Sequence, residues 1–140
     1  MKIIDGQESI LGRLASYAAK EALRGEEIVI VNCEKVIITG SRKDIEKDLH
    51  EKRSRYGSSQ KGPNPSKLGE RMVKRTIRGM LPNHRLGRGR EAWKRIKCYT
   101  GIPKEFEGKK MEKIKSDKKS KFVRIENVSK TKDSGVKKWR

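Results

Sequence analysis

The chain has no long apolar run. Its longest aliphatic stretch is Ile28-Val29-Ile30-Val31, whereas a membrane span needs roughly 18 residues or more. The opening residues Met1-Lys2-Ile3-Ile4-Asp5 hold no apolar stretch of signal-peptide length. Neither a membrane nor a secretory role is expected. Cysteine is scarce: Cys33 and Cys98 stand far apart, with no Cys-x-x-Cys pair, and the histidines are His50 and His84 alone. A structural zinc site needs four ligands at close spacings, so no metal site is expected. Both thiols read as free and structural, as in a reducing cytosol. Catalytic sets are missing too: no carboxylate pair, Ser/His/Asp set or Cys/His pair stands out. Apolar residues make up 32% of the chain, and the 13 glycines still leave it short of the roughly 45–50% usual for a soluble domain. The core is small, or part of the chain lies outside it.

Cations are abundant. Lys and Arg number 37 against 18 Asp and Glu in 140 residues, a net charge of +19. They are not spread evenly. Residues 1–56 carry 11 basic and 10 acidic side chains, residues 57–103 carry 12 and 2, and residues 104–140 carry 14 and 6. A near-neutral first part beside two basic ones suggests a folded platform with a basic working surface. A surface tuned for solubility alone would intersperse both signs. The excess calls for an external polyanion, with nucleic acid ahead of an anionic membrane or an acidic protein.

Apolar spacing supplies the architecture. Lys2-Ile3-Ile4 reads as a short buried strand. Leu11, Leu14, Ala15, Ala18, Ala22 and Leu23 fall on one helical face, with Ser9 as candidate N-cap and Gly25 as stop. Ile28–Val31 is apolar on both faces, the pattern of a strand covered on both sides. Val36-Ile37-Ile38 reads as a further strand, either parallel or in a hairpin with the one before. Ser41 caps a helix with Ile45 and Leu49 inward. Residues 57–65 are a Gly/Pro-rich loop. A helix follows from Ser66 to Leu81, stopped by Pro82, then a basic loop from His84 to Gly89. A short helix over Glu91–Ile96 has Ala92, Trp93 and Ile96 inward, and Lys97–Tyr99 is the last core strand. The expectation is an α/β fold with a mainly parallel four-stranded sheet. An RNA-binding domain over residues 1–103 precedes a basic C-terminal extension over 104–140. Residues 104–121, with eight lysines, four acids and few large apolar groups, are expected to be poorly ordered alone. Phe122–Ile125 and Val128 are read as a short strand and a helical turn.

The 66–81 helix is the most informative element. With Leu68 at zero, Met72, Val73, Thr76, Ile77 and Met80 fall between about 40° and 180°, and Arg71, Lys74, Arg75 and Arg78 between about 240° and 340°. One face is apolar and the other holds four cations with no acid. An ordinary surface helix gains a few tenths of a kcal/mol from each four-residue acid–base pair, and this one forgoes them. The pattern reads as a row of phosphate-binding side chains. Arg53, Arg55, Tyr56, Lys61 and Lys67 cluster around the preceding loop, and His84, Arg85, Arg88 and Arg90 follow the helix. Arginine binds phosphate bidentately and stacks on bases, and adjacent glycines let backbone approach a sugar–phosphate chain. Tyr56 and His84 are candidate stacking groups, although Tyr56 fits partial burial equally well.

Gly87-Arg88-Gly89-Arg90-Glu91-Ala92 matches the G-x-G-x-x-A form of a dinucleotide fingerprint. That motif requires a strand immediately before it, and Pro82-Asn83-His84-Arg85-Leu86 is not one. No cofactor and no small-molecule substrate are expected.

Several motifs resemble the family of universal large-subunit ribosomal proteins numbered thirteen. They are Leu11-Gly12-Arg13-Leu14-Ala15-Ser16, Gly25-Glu26 before Ile28–Asn32, and Ile38-Thr39-Gly40, then Arg78-Gly79-Met80-Leu81-Pro82, Gly87-Arg88 and Tyr99-Thr100-Gly101-Ile102-Pro103. The Ser59–Pro65 loop and the Gly-Ile-Pro ending resemble the archaeal and eukaryotic branch. The resemblance implies a three-layer α/β/α domain in the cytoplasmic large ribosomal subunit. It implies a structural, non-catalytic role, with large-subunit ribosomal RNA and neighbouring ribosomal proteins as partners and a part in subunit assembly. With Arg13 of the first motif added, the candidate RNA-binding residues are Arg13, Arg53, Arg55, Tyr56, Lys61, Lys67, Arg71, Lys74, Arg75, Arg78, His84, Arg85, Arg88 and Arg90. The competing readings are an RNA- or nucleotide-acting enzyme on a doubly wound sheet and a free nucleic-acid chaperone.

Overall fold

A computed structural model describes residues 1–55, 65–114 and 121–129. Strand β1 (Lys2–Asp5) leads into helix α1 (Leu11–Leu23) and strand β2 (Ile28–Val31). Strand β3 (Ile37–Thr39), helix α2 (Arg42–Ser54), helix α3 (Gly69–Met80), helix α4 (Gly87–Arg95) and strand β4 (Ile96–Cys98) follow. The chain ends its described course with strands β5 (Glu112–Lys113) and β6 (Phe122–Arg124) and a single helical turn, α5 (Ile125–Val128).

The main sheet has the order β4-β2-β1-β5, and every pairing in it is parallel. Ile3 lies opposite Val29, and Ile28 opposite Ile96. Side chains alternate between the faces of a strand, so an unbroken apolar strand feeds two clusters. Ile4, Ile28 and Ile30 join Leu14, Ala15, Ala18 and Ala22 of α1, Val73 and Ile77 of α3, and Ala92 of α4. Ile3, Val29 and Val31 meet Phe106, with Tyr99 and Met111 against them. The first face is thickly covered by helices, and the second by the turn around Phe106.

The stop of α1 follows from local chemistry. Gly25 adopts φ +102°. Its N–H bonds the Ala22 carbonyl, and the Glu26 N–H bonds that of Glu21, the pair of bonds that satisfies a helix C-terminus. Its start differs from expectation. Ile10 holds the N-cap position, and the buried Ser9 hydroxyl donates instead to the Asp5 carbonyl at 3.3 Å, bracing the β1–α1 turn. At the other end, Glu21 is buried and paired with Lys2 and Arg24. The Lys2 hydrogen bond, with the charge of Arg24, holds its carboxyl below the usual range despite partial desolvation.

The third strand is neither parallel to β2 nor in a hairpin with it. Asn32 turns left-handed at φ +54°, and a tight turn over Cys33–Lys35 carries the chain off the sheet. Strand β3 then pairs antiparallel with β6, Ile38 opposite Val123, as a separate two-stranded sheet. The fourth place in the main sheet goes to β5, with Ile4 opposite Glu112 and the Tyr17 hydroxyl donating to the Glu112 carboxylate at 3.0 Å. The described part of 104–121 thus contributes a strand to the main sheet, and residues 115–120 lie outside the described residues. Phe106 and Ile125 are both buried. Both cysteines are free thiols. Cys33 is buried, and the Cys98 thiol beside it, with desolvation, pushes its pKa up.

Candidate nucleic-acid interface

Helix α3 packs on α1, with Val73 and Ile77 buried, while the buried Gly69 lies against Ile125 and Glu34. Met72 is half-buried. Met80 is exposed, because the helix ends there and Leu81, beyond it, takes the core position instead. On the far side, Arg71 and Arg75 are exposed while Lys74 and Arg78 are half-buried. Among the described residues none of these four cations has a carboxylate partner. Lys74 instead places its ammonium 4.8 Å from the centre of the Trp93 ring. Arg71, Lys74, Arg75 and Arg78 line a shallow groove of about 230 Å³ with Ser66 and Trp93. Arg71 and Lys74 also border a second groove of about 380 Å³ with Glu70, Lys97, Cys98 and Tyr99.

The surroundings of α3 are also basic. Lys67 is exposed just ahead of it, and the Ser66 hydroxyl accepts the Leu68 N–H at 3.2 Å, so that Ser66 acts before the helix starts. His84 is half-buried and Arg85 exposed in the connection to α4. Helix α4 starts at Gly87, four residues earlier than read from sequence, which puts the exposed Arg88 and Arg90 at its start, in a first turn that holds no acid. Cations there oppose the positive end of the helix dipole. Gly89 has a different task from the one expected. A Cβ on it would lie 2.2 Å from the Pro82 carbonyl oxygen, so the glycine admits the protein's own loop rather than a sugar–phosphate chain. It also leaves no pyrophosphate cradle in the fingerprint-like run.

The remaining sequence candidates divide. Arg55 is paired with Glu51 at 2.5 Å, which pushes its pKa up. Arg53 is half-buried near the end of α2, and Arg13 is exposed on α1. Tyr56 and Lys61 lie outside the described residues. The structure therefore gathers Arg71, Lys74, Arg75 and Arg78 at one surface, and Arg13 stands on another helix. Trp93, Lys97 and Tyr99 line the same grooves and were missed as site residues. Their placement depends on α4 and β4 lying beside α3, which no local pattern encodes. Among the described residues no cluster of His, Cys, Asp and Glu could hold a metal ion, and no helix is long and apolar enough to cross a membrane.

A family model described as ribosomal protein L13 matches residues 1–105. The chain is 44% identical over 133 residues to the large ribosomal subunit protein uL13 of Archaeoglobus fulgidus, covering 91% of this chain and 84% of that one. It is 52% identical over 107 residues to the protein of the same name in Methanosarcina barkeri, covering 76% and 75%. Against that of Methanocaldococcus jannaschii it is 47% identical over 109 residues, covering 76% and 79%. The family match covers β1 to β4 and the basic helix α3, and these relatives are archaeal; the chain belongs to the ribosomal protein L13 family.

Proposed function

We propose that the chain grips large-subunit ribosomal RNA with the acid-free face of α3 and so supports subunit assembly. Its family makes it a structural constituent of the large ribosomal subunit, working in the cytoplasm, and not an enzyme. That subunit associates it with ribosomal RNA and with other large-subunit proteins. The readings as an RNA-acting enzyme or a free chaperone find no support in the family.

The observation that carries the RNA reading is the set of four cations, Arg71, Lys74, Arg75 and Arg78, without a carboxylate partner among the described residues, on a helix whose other face is in the core. Their mutual repulsion is relieved when phosphates replace condensed counterions, and each neutralised phosphate releases a counterion. The folded domain fixes where the cations sit, so the contacts set register and orientation. Lys67, His84, Arg85, Arg88 and Arg90 widen the same basic region, and an RNA phosphate near the first turn of α4 would offset the dipole conflict there. Trp93 and Tyr99 add ring faces for a base or a ribose. Arg13, Arg53, Arg55, Tyr56 and Lys61 extend the footprint. Residues 1–103 act as the RNA-binding domain, and 104–140 as a basic extension fastened to it through Phe106, Val123 and Ile125.

The test is a charge reversal. Arg75→Glu with Arg78→Glu is expected to abolish most ribosomal RNA affinity while circular dichroism and melting temperature stay near those of the parent. Loss of the fold with unchanged RNA affinity would reverse the assignment of the two faces.

A further inference from the structure

Helices α2 and α3 do not close on each other. Between them lies a cleft of about 410 Å³, within the range of small-molecule pockets. Ile38, Ile45, Leu49 and Met72 supply apolar walls. Arg53 also lines it, and its Nε and Nη2 are both buried without a hydrogen-bond partner among the described residues. Those two nitrogens point their hydrogens along one edge of the planar guanidinium. That edge is a rigid two-donor fork, and buried donors left without an acceptor are costly. The cleft is therefore incomplete without a ligand that offers two adjacent acceptors.

We propose that this cleft receives a single extruded guanine of the ribosomal RNA, held along its O6/N7 edge by the Nε and Nη2 donors of Arg53. The proposal rests on the reading of α3 as an RNA face. Three features of the cleft choose the occupant. Guanine O6 and N7 form the adjacent acceptor pair that an arginine fork matches best among the bases. The faces of a base are apolar enough to lie against Ile45, Leu49 and Met72, whereas a phosphate or a lone carboxylate would leave those walls unfilled. Asp48 lines the same cleft as an ion pair with Lys52 at 2.5 Å, and the carboxylate of that pair suits the N1–H and N2–H donors of guanine. The cleft also adjoins the RNA face, because Arg75 belongs both to its wall and to the basic groove of α3. A strand following α3 can thus keep its backbone on Arg75 and turn one base inward. Reading an unstacked base by one edge and two apolar faces is the usual manner of sequence-specific RNA recognition.

Dimethyl sulfate methylates guanine N7 and so reports on the contact atom itself. Large subunits assembled with the full chain are compared with subunits carrying Arg53→Met, which keeps the apolar stem and removes the fork. One guanine, shielded in the parent subunits, is expected to become more reactive by roughly tenfold, the scale of one bidentate pair, with the protections along α3 unchanged. Arg53→Lys, which keeps the charge without the fork, is expected to expose the same guanine, and it serves if the methionine variant does not enter subunits. Unchanged guanine reactivity in both variants overturns the proposal. So does altered hydrogen exchange confined to an acidic segment of a neighbouring protein, which would place a carboxylate in the cleft. Either result leaves the α3 protections in place, whereas failure of the RNA reading of α3 would remove them.

Discussion

Helices α2 and α3 are nearly equal in length, both are rich in charge, and they face each other across the cleft. Their charges are arranged in opposite ways. Along α2, Arg42 pairs with Glu46 at 2.7 Å, Lys52 with Asp48 at 2.5 Å, and Arg55, just past its end, with Glu51 at 2.5 Å. Each pair spans four residues, the spacing that brings side chains together on one face. No residue of α2 is fully buried. Helix α3 is anchored by Val73 and Ile77 and leaves Arg71, Lys74, Arg75 and Arg78 without acidic partners among the described residues. Arg53 apart, a helix with little burial uses these charges on itself. A helix held by the core can leave its charges for a partner. Pairing and burial distinguish the two.

Salt should show the largest effect. If about six to ten cations engage phosphates, ribosomal RNA affinity falls on the order of a thousandfold or more between 50 and 200 mM salt. Filter binding across that range measures it, and a nearly flat response would remove the basis for the contrast between the helices. Reversal of charge sharpens it further. Arg75→Glu with Arg78→Glu should weaken binding by about a hundredfold and shallow the salt slope by roughly 0.9 for each duplex phosphate that is no longer neutralised. Arg42→Glu with Lys52→Glu in α2, the same change in charge, should cost much less. Equal losses would mean that net charge alone governs binding.

Burial gives the next contrast. Ile77 in α3 is fully buried, whereas Ile45 in α2 is half-exposed. Ile77→Ala should cost about 2–5 kcal/mol, the usual range for a buried Ile, and Ile45→Ala well under half of that, both read by denaturant melts. An acid needed by the fold should differ from the surface acids of α2. The Glu21 carboxyl is held low by Lys2 and Arg24. A lowered folded pKa means that its stabilisation is present above the ordinary carboxylate range and disappears as pH falls through the folded value. Glu21→Gln should therefore lower the melting temperature at pH 7 and make little difference at pH 2, while Glu46→Gln changes it little at either. Smallest of all, Arg42→Ala in α2 should cost only about 0.3–0.5 kcal/mol, the worth of an exposed four-residue pair. A larger loss would show that α2 does more than pair its own charges.

Much of the site was legible in the sequence because it sits on one helix. A period of 3.6 residues separates Val73 and Ile77 from Arg71, Lys74, Arg75 and Arg78 whatever the helix packs against. The apolar quartet of β2 announced burial on both faces for the same local reason. Trp93 was read as inward, and it does pack against the core, but the same ring also lies under Lys74 at the edge of the groove. Met80 falls on the apolar face of the wheel, yet the helix ends at that residue and exposes it. The first is decided by a neighbouring element and the second by where the helix ends.

The residues alone determined the two-sided strand β2, the divided faces of α3, the glycine stop of α1 and the family, since each rests on spacings within one short segment. The tertiary structure decided where the strands went. Glu112 and Lys113 have no apolar side chain to mark them as a strand, and their place beside β1 comes from backbone pairing and from contacts with Tyr17 and Asp5, which are remote in sequence. Strand β3 looked like a member of the main sheet until the left-handed Asn32 and the turn after it sent it to β6. Pairing partners, the close approach at Gly89 and the open cleft with its unpaired Arg53 fork are set by distances between segments remote in sequence. Such distances exist only once the chain has folded, which is why periodicity, a property of neighbours along the chain, could not supply them.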